Sequence, residues 1–159
     1  RNKDLGARLI INLEKLYLSL KKLQLKDDKV SSYYNLSHKL GVAQKDMNKL
    51  QNKIFGIECN FEELNGIDFK KGCYVGQENT ARIKLKNKLS KRLLPIEIIK
   101  GKLVAGSSIR FGNIEIGKVL IDNEYPFALI KYLDDDFDGK NQFTCENAII
   151  KIRIPDWIK

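Results

Sequence analysis

The spacing of hydrophobic residues changes partway along the chain, close to Asn87. Ahead of that point apolar residues mostly recur three or four positions apart, which is typical of amphipathic helices. Ser31 or Ser32 is a suitable N-cap for one of these helices, and Gly41 suits the position just after its last turn. The predicted elements are a strand at Leu5 to Leu13, a helix with Leu16, Leu20 and Leu23, a helix with Tyr33, Leu36 and Leu40, a short helix with Met47, Leu50 and Ile54, an irregular connection from Gly56 to Gly72, and a helix from Val75 to Lys86.

From Leu89 onward apolar and polar residues alternate, which indicates strands with one buried face. Turn residues separate these short runs at regular intervals, a pattern that predicts a small antiparallel barrel. We therefore predict an α+β protein in two parts, a mixed segment at residues 1–87 and the barrel at residues 88–159. Lys91 and Arg92 are expected at the seam between these parts. The candidate strands are Lys91–Ile99, Ser108–Phe111, Ile114–Ile121, Phe127–Tyr132 and Ile149–Ile154.

The chain is basic, with 29 Lys and Arg residues against 20 Asp and Glu residues in a total of 159. Most of the excess falls in residues 70–102, which hold ten basic and two acidic side chains. Such a patch attracts phosphates or polycarboxylates through its long-range potential, and a solvated, lysine-coated surface explains it equally well. Only Tyr74 is aromatic in this segment, so the stacking platforms of single-stranded RNA readers are missing and direct nucleic-acid binding is disfavoured.

Three cysteines, Cys59, Cys73 and Cys145, are widely spaced and form no Cys-x-x-Cys pair. This pattern argues against a disulfide scaffold and a zinc site and fits a reducing compartment, the bacterial cytoplasm or the mitochondrial matrix of a eukaryote. His38, the only histidine, is expected on a helix surface. The apolar runs are far shorter than the roughly 20 residues of a membrane span, so we expect a soluble protein. Because the chain starts without Met, just ahead of a predicted strand, we interpret it as a fragment or a processed product.

The motif KGCYVGQE, from Lys71 to Glu78, is the most informative stretch of the sequence. Gly72 and Gly76 remove side chains on both sides of Cys73, so a ligand or a partner can approach the backbone closely. The preceding lysines and the N-terminus of the following helix favour the thiolate form of the cysteine. We therefore predict a reactive thiol at Cys73. The alternative is a small buried hydrophobic residue, which is the default interpretation of the other two cysteines.

This motif is similar to the signature of YgfZ-type proteins, which are relatives of the glycine-cleavage aminomethyltransferase, or T-protein. Gly56 departs from the family pattern, since many members have Pro at that place. The resemblance covers essentially the whole chain. It implies the C-terminal half of an aminomethyltransferase-like folate-binding domain at residues 1–87, followed by a small antiparallel β-barrel. The flanking residues that match are Asn60-Phe61, Leu64 to Phe69, Ala81-Arg82 and Lys91-Arg92-Leu93.

The resemblance also implies tetrahydrofolate as the cofactor. A pterin ring carries an N–H beside an exocyclic amine, and one carboxylate can bind this edge through both oxygens. The family places Glu58 near that role, against the alternative of an ordinary surface glutamate. Glu78 has a structural alternative as a helix-dipole partner that pairs with Arg82. The implied site consists of Cys73 as the candidate catalytic thiol and, for the cofactor, Glu58, Asn60, Lys71, Gly72, Tyr74, Gly76, Gln77, Glu78 and Arg82.

Three functional hypotheses follow for this chain. The first, implied by the resemblance, is a folate-binding accessory protein that supports iron–sulfur enzymes or assembly factors, including enzymes that modify transfer RNA. The second is a tetrahydrofolate-dependent aminomethyltransferase of the T-protein type, and the third is an RNA-binding module. T-proteins lack the cysteine-containing motif, and their catalytic acid belongs to an earlier half of the fold, so the first hypothesis is favoured. The sequence leaves open whether the protein turns over a substrate.

Overall fold

Six antiparallel strands close into a barrel in the computed structural model, which confirms the predicted α+β class and its small barrel. The strands pair in the order β1-β4-β3-β2-β5-β6, and β6 returns to β1. The structure describes residues 2–72, 75–85, 89–131 and 142–158. The strands are β1 (Lys91–Lys100), β2 (Ser108–Phe111), β3 (Ile114–Ile121), β4 (Phe127–Lys131), β5 (Gln142–Cys145) and β6 (Ala148–Ile152).

Strand β5 is absent from the sequence-based prediction. It has four residues, and only Phe143 and Cys145 are buried, so its alternation is too short to stand out. Strand β6 ends at Ile152, two residues before the predicted Ile154, and Pro155, which has no N–H to donate, follows Ile154. The predicted strand end at Tyr132 lies outside the described residues, as does the acidic loop at residues 134–136.

The middle of β1, residues 93–96, and most of β4 are buried on both faces. On β1, Leu94 and Ile96 point into the barrel, whereas Leu93 belongs to a second apolar cluster on the outer face. That outer cluster is covered by the turns at residues 42–61, which lie directly against the barrel wall. The predicted division between residues 87 and 88 stays a prediction, since residues 86–88 lie outside the described part of the chain. The outer cluster is formed by Leu50, Cys59, Leu93, Leu120, Ile121 and Phe127.

The N-terminal apolar run forms no strand, so the prediction of a strand at Leu5 to Leu13 is wrong. A 3-10 helix at Lys3–Leu5 is followed by irregular chain up to Asn12. The Asn12 side chain then accepts a hydrogen bond from the second residue of helix α1 (Leu13–Lys22), 2.9 Å away. A strand needs a neighbour for its backbone groups, and no described strand pairs with this run, in which Ile10 is 95% exposed.

Helix α2 (Val30–Lys39) confirms the second predicted helix but starts earlier than expected. Lys29 takes the N-cap position, so the predicted cap at Ser31 or Ser32 is wrong; both serines lie in the first turn. The preceding aspartate fixes this start by accepting a hydrogen bond from the Lys29 N–H at 2.6 Å. Gly41 ends the helix as predicted, because its φ of +73° suits glycine, and its own N–H and that of Val42 donate to carbonyl oxygens of the last turn.

His38 faces the barrel, so the prediction of a histidine on the helix surface is wrong. Its Nε2 lies 3.0 Å from the Pro126 carbonyl oxygen, and its ring meets the Phe127 ring edge-on at 5.3 Å between centroids. Helix α2 packs against the connection between β3 and β4, and this contact leaves the imidazole half-buried. Burial lowers the pKa of His38 below its ordinary value.

The remaining helical segments are shorter than predicted. A 3-10 helix at Met47–Leu50 replaces the longer helix expected to reach Ile54. Turns without regular secondary structure follow up to Gly72, as expected. Helix α3 (Gln77–Leu85) begins two residues after the predicted Val75, and the predicted end at Lys86 lies outside the described residues.

Candidate functional site

Asn60 anchors the turns ahead of the motif to the first barrel strand. It is 1% exposed and adopts a left-handed backbone with φ of +60°, a conformation that asparagine tolerates better than most residues. Its Nδ2 donates to the Leu93 carbonyl oxygen at 2.8 Å, and its Oδ1 accepts from Arg92 Nη1 at 3.0 Å. Both ends of the amide are therefore engaged inside the protein, so Asn60 acts here as a positioning residue for β1. Its predicted contact with the cofactor stays a prediction.

Arg92 joins this anchor to the acidic end of the same turns. Its Nη1 also donates to Glu63, and the two side chains are 12% and 20% exposed, so the ion pair is largely shielded from water. The second oxygen of the Glu63 carboxylate, Oε2, is buried without a hydrogen-bond partner among the described residues. The contact joins Arg92 to the turns ahead of the barrel, as expected for a residue at the seam between the two predicted parts. Sequence reasoning missed Glu63, although a basic residue expected at a seam should have prompted a search for a carboxylate in the preceding turns.

Glu58 lies at the surface of these turns with its carboxylate half-exposed. Its Oε2 accepts a hydrogen bond from the Phe55 N–H at 2.9 Å, and its backbone carbonyl accepts from the Leu93 N–H at 2.8 Å. No other hydrogen bond to this carboxylate occurs within the described part of the chain. A carboxylate can accept about four hydrogen bonds, so it keeps capacity for the two N–H groups of a pterin edge.

The residues of the motif whose burial the structure describes lie on the surface, just before and at the start of helix α3. Lys71 and Gly72 are exposed, and a side chain built at Gly72 or Gly76 would meet nothing within 4 Å. Gly76 has a φ of +84°, which favours glycine at this turn into the helix. This open space agrees with the close backbone approach that we predict. Cys73 and Tyr74 lie outside the described residues, and so does the side chain of Gln77.

Helix α3 connects the motif to the same turns that hold Asn60. Lys84 Nζ lies 2.5 Å from Glu62 Oε1 and 5.6 Å from the centre of the Phe69 ring. The two residues predicted as a helix pair, Glu78 and Arg82, are both exposed on this helix. The ion pair from Lys84 thus brings the motif helix to the seam, one residue away from the carboxylate that binds Arg92.

Cavities open on the described surface, and three of them are not lined by any predicted site residue that the structure describes. One, of about 720 Å³, lies between Leu40, Glu63 and Trp157. Another, of about 470 Å³, lies beside Tyr33 and Phe61. A third of similar volume lies against the outer face of the barrel. Among the described residues, the seam links Asn60 to the helix of the motif, and these three cavities lie elsewhere.

The two cysteines that the structure describes are packing residues. Cys59 and Cys145 are 8% and 2% exposed, which confirms their interpretation as core residues. Loss of solvation, with the negative charge of Glu58 nearby, raises the pKa of Cys59 to about 11. Burial also raises the pKa of Cys145, so both thiols are protonated and poor nucleophiles at neutral pH.

The described residues contain no group of three His, Cys, Asp or Glu side chains placed to hold a metal ion. Within the same ranges, none of the helices has the length and apolar character needed to cross a membrane.

The barrel agrees with the class that the motif's resemblance implied, an aminomethyltransferase-like protein with a C-terminal barrel, and comparison with known proteins narrows this class. No protein-family profile matches the chain. The "tRNA-modifying protein YgfZ" of Aliivibrio fischeri strain MJ11 is 32% identical over 153 residues, which is 89% of this chain and 46% of that protein. The mitochondrial "Iron-sulfur cluster assembly factor IBA57 homolog" of Dictyostelium discoideum is 34% identical over 112 residues, 69% of this chain and 27% of that protein. The corresponding Neurospora crassa protein is 36% identical over 90 residues, 57% of this chain and 20% of its own length.

The chain therefore belongs to the YgfZ-type family, as the motif predicted. It spans less than half of the length of these relatives.

Proposed function

We propose that this chain is part of a folate-binding accessory protein that supports iron–sulfur enzymes, including enzymes that modify transfer RNA. The relatives support this proposal by name, since one is a tRNA-modifying protein and others are iron–sulfur cluster assembly factors. The observation that carries it in this chain is the exposure of the described motif residues, such as Lys71, Gly72 and Glu78, on a segment whose helix α3 is joined through Lys84 and Glu62 to the seam. By analogy with the mitochondrial relatives, the protein acts in the matrix of a eukaryote or in the cytosol of a bacterium.

The chemistry of Glu58 is compatible with tetrahydrofolate. Its Oε1 has no hydrogen bond within the described residues, and its Oε2 keeps a lone pair beside the bond from the Phe55 N–H. The same backbone bond holds the carboxylate in place before a ligand arrives. Glu58 would accept the N–H groups of the pterin edge, and the open backbone at Gly72 and Gly76 would allow close contact with the ligand or with a client protein.

Titration of the full-length protein with tetrahydrofolate, followed by calorimetry, tests the folate part of the proposal. We expect Glu58→Gln to weaken binding by about 1–3 kcal/mol, because the amide cannot accept both pterin N–H groups. The amide oxygen can still accept from the Phe55 N–H, so the turn should keep its structure. Glu14→Gln removes the same charge from the exposed first turn of α1 and serves as the matched control. Equal dissociation constants for the wild type and Glu58→Gln would show that Glu58 is an ordinary surface residue without a pterin contact.

Alkylation and complementation test the role of Cys73. We expect Cys73 to alkylate faster near neutral pH than Cys59 or Cys145, which are buried and have raised pKa values. Mass spectrometry of each labelled peptide ranks the three thiols within one sample. Cys73→Ser should leave the fold intact and reduce the activity of iron–sulfur enzymes in a deletion strain. Slow alkylation of Cys73, together with full complementation by the serine variant, would refute a functional thiol.

A further inference from the structure

The third cavity is a basic groove that the sequence analysis did not single out. It has a volume of about 470 Å³ and lies between the covering turns and the outer face of strands β1, β3 and β4. Its lining includes four lysines and one acidic residue, Glu115. Only one of these lysines belongs to the basic segment at residues 70–102, so the fold assembles the groove from separate parts of the sequence. The lysines of this lysine groove are Lys53, Lys91, Lys118 and Lys131.

Strand register places two of these lysines side by side and a third on the neighbouring strand, two positions away along the sheet. Lys91 and Lys131 are direct partners across β1 and β4. Lys118 on β3 is the partner of Leu129, which shares a face with Lys131 two residues further along β4. Like charges directly opposite each other on neighbouring strands destabilise a sheet. No ion pair to any of the four lysines occurs among the residues that the structure describes, so within that part their repulsion is not offset.

The residues that line the groove between the lysines indicate which class of anion the groove can bind. Ala105, Leu120 and Leu129 give the groove an apolar wall, and its lining contains neither arginine nor an aromatic side chain. Compact phosphates are commonly held by the arginine fork or by a helix N-terminus, and single-stranded nucleic acids need stacking surfaces. A row of separate ammonium groups above an apolar wall instead suits a flexible chain that carries a carboxylate on each unit and methylene groups between them.

We propose that the lysine groove binds a linear oligocarboxylate, with the γ-glutamyl tail of a polyglutamylated folate as its source. The choice of folate as the source of this oligocarboxylate rests on the proposed function. The groove adjoins the predicted pterin contact, because the Glu58 carbonyl accepts a hydrogen bond from the Leu93 N–H, two residues from Lys91 on the same strand. A ligand whose pterin lies at Glu58 can extend its tail along β1 towards Lys91 and Lys131.

Binding of tetrahydrofolate with one or five glutamates to the full-length protein tests this proposal. The wild type should prefer the pentaglutamate, and the preference should fall at high salt because these contacts are exposed to solvent. Replacing Lys91 and Lys131 together by Gln should reduce pentaglutamate affinity by about 2- to 30-fold and leave monoglutamate affinity unchanged. Replacing Lys100 and Lys102 together by Gln removes the same charge from exposed positions outside the groove, and the preference should survive. Thermal stability of the groove variant should not fall, since a repulsive pair is removed.

Free γ-linked pentaglutamate, without a pterin, separates this proposal from the proposed function. If tetrahydrofolate monoglutamate does not bind but the free chain binds in a manner that depends on Lys91 and Lys131, the groove is correct and the folate assignment is wrong. If α-linked pentaglutamate binds equally well, the groove accepts linear oligocarboxylates in general, including acidic protein segments. A pentaglutamate preference that persists in the groove variant would overturn the proposal. Tighter binding of inorganic tripolyphosphate than of pentaglutamate would overturn the choice of a carboxylate.

Discussion

Replacement of Asn60 by Ala should cost far more stability than the same change at an exposed asparagine. The substitution removes the bond to the Leu93 carbonyl oxygen and the bond from the Arg92 guanidinium. A neutral hydrogen bond contributes about 1 kcal/mol to stability and one to a charged group about 1.5–3 kcal/mol. The left-handed backbone adds about 1 kcal/mol, because alanine adopts it less readily than asparagine. The expected loss is therefore about 3–5 kcal/mol.

Asn65→Ala is the matched control for this experiment. Asn65 has a φ of +56°, close to that of Asn60, but its side chain is exposed. The control should lose only the backbone contribution of about 1 kcal/mol. For a chain of this size, thermal melting followed by circular dichroism should show a drop of about 6–20 °C for Asn60→Ala and about 2–4 °C for the control.

A double-mutant cycle assigns the loss to the seam. Combining Asn60→Ala with Arg92→Gln should give a coupling energy of about 0.5–3 kcal/mol, because each change removes the same hydrogen bond. Equal melting temperatures for Asn60→Ala and Asn65→Ala would refute the reasoning, since the buried amide would then contribute nothing beyond its backbone conformation. A coupling energy of zero would leave the Leu93 carbonyl as the only energetic partner.

Two further predictions concern helix α2. Burial lowers the pKa of His38, so the folded state binds the imidazole proton more weakly than the unfolded state. The neutral His38 therefore contributes its full share of folding stability above about pH 6.5, and this share is lost as the pH falls below that value. The melting temperature of the wild type should therefore fall more between pH 7.5 and 5.5 than that of His38→Gln, and parallel curves would contradict this. Gly41→Ala should cost at least about 2 kcal/mol more than Gly6→Ala, because both backbones have positive φ but only the Gly41 Cβ would lie 2.1 Å from Pro155. Chemical denaturation measures the difference, and equal losses would show that Pro155 moves aside freely.

Sequence alone was enough to predict the barrel. The inward residues of β1, Leu94 and Ile96, are two positions apart, as a strand with one face in the barrel requires whatever its partner strands are. The end of α2 could also be predicted from the local sequence, because the positive φ at Gly41 favours a residue without a Cβ. The motif from Lys71 to Glu78 indicated the family because its residues are contiguous. Each of these features depends on residues that lie within a few positions of one another in the sequence.

Tertiary contacts determined the features of the structure that the local sequence pattern did not predict. The run ending at Leu13 has the composition of a strand but lacks a described neighbour, and His38 is half-buried because α2 happens to meet the β3–β4 connection. Strand register brings Lys131 next to Lys91 and places Lys118 on the following strand of the sheet, although more than 10 residues separate each from the next along the chain. Their meeting depends on which strands pair and in which register, and that is set by the packing of the whole barrel.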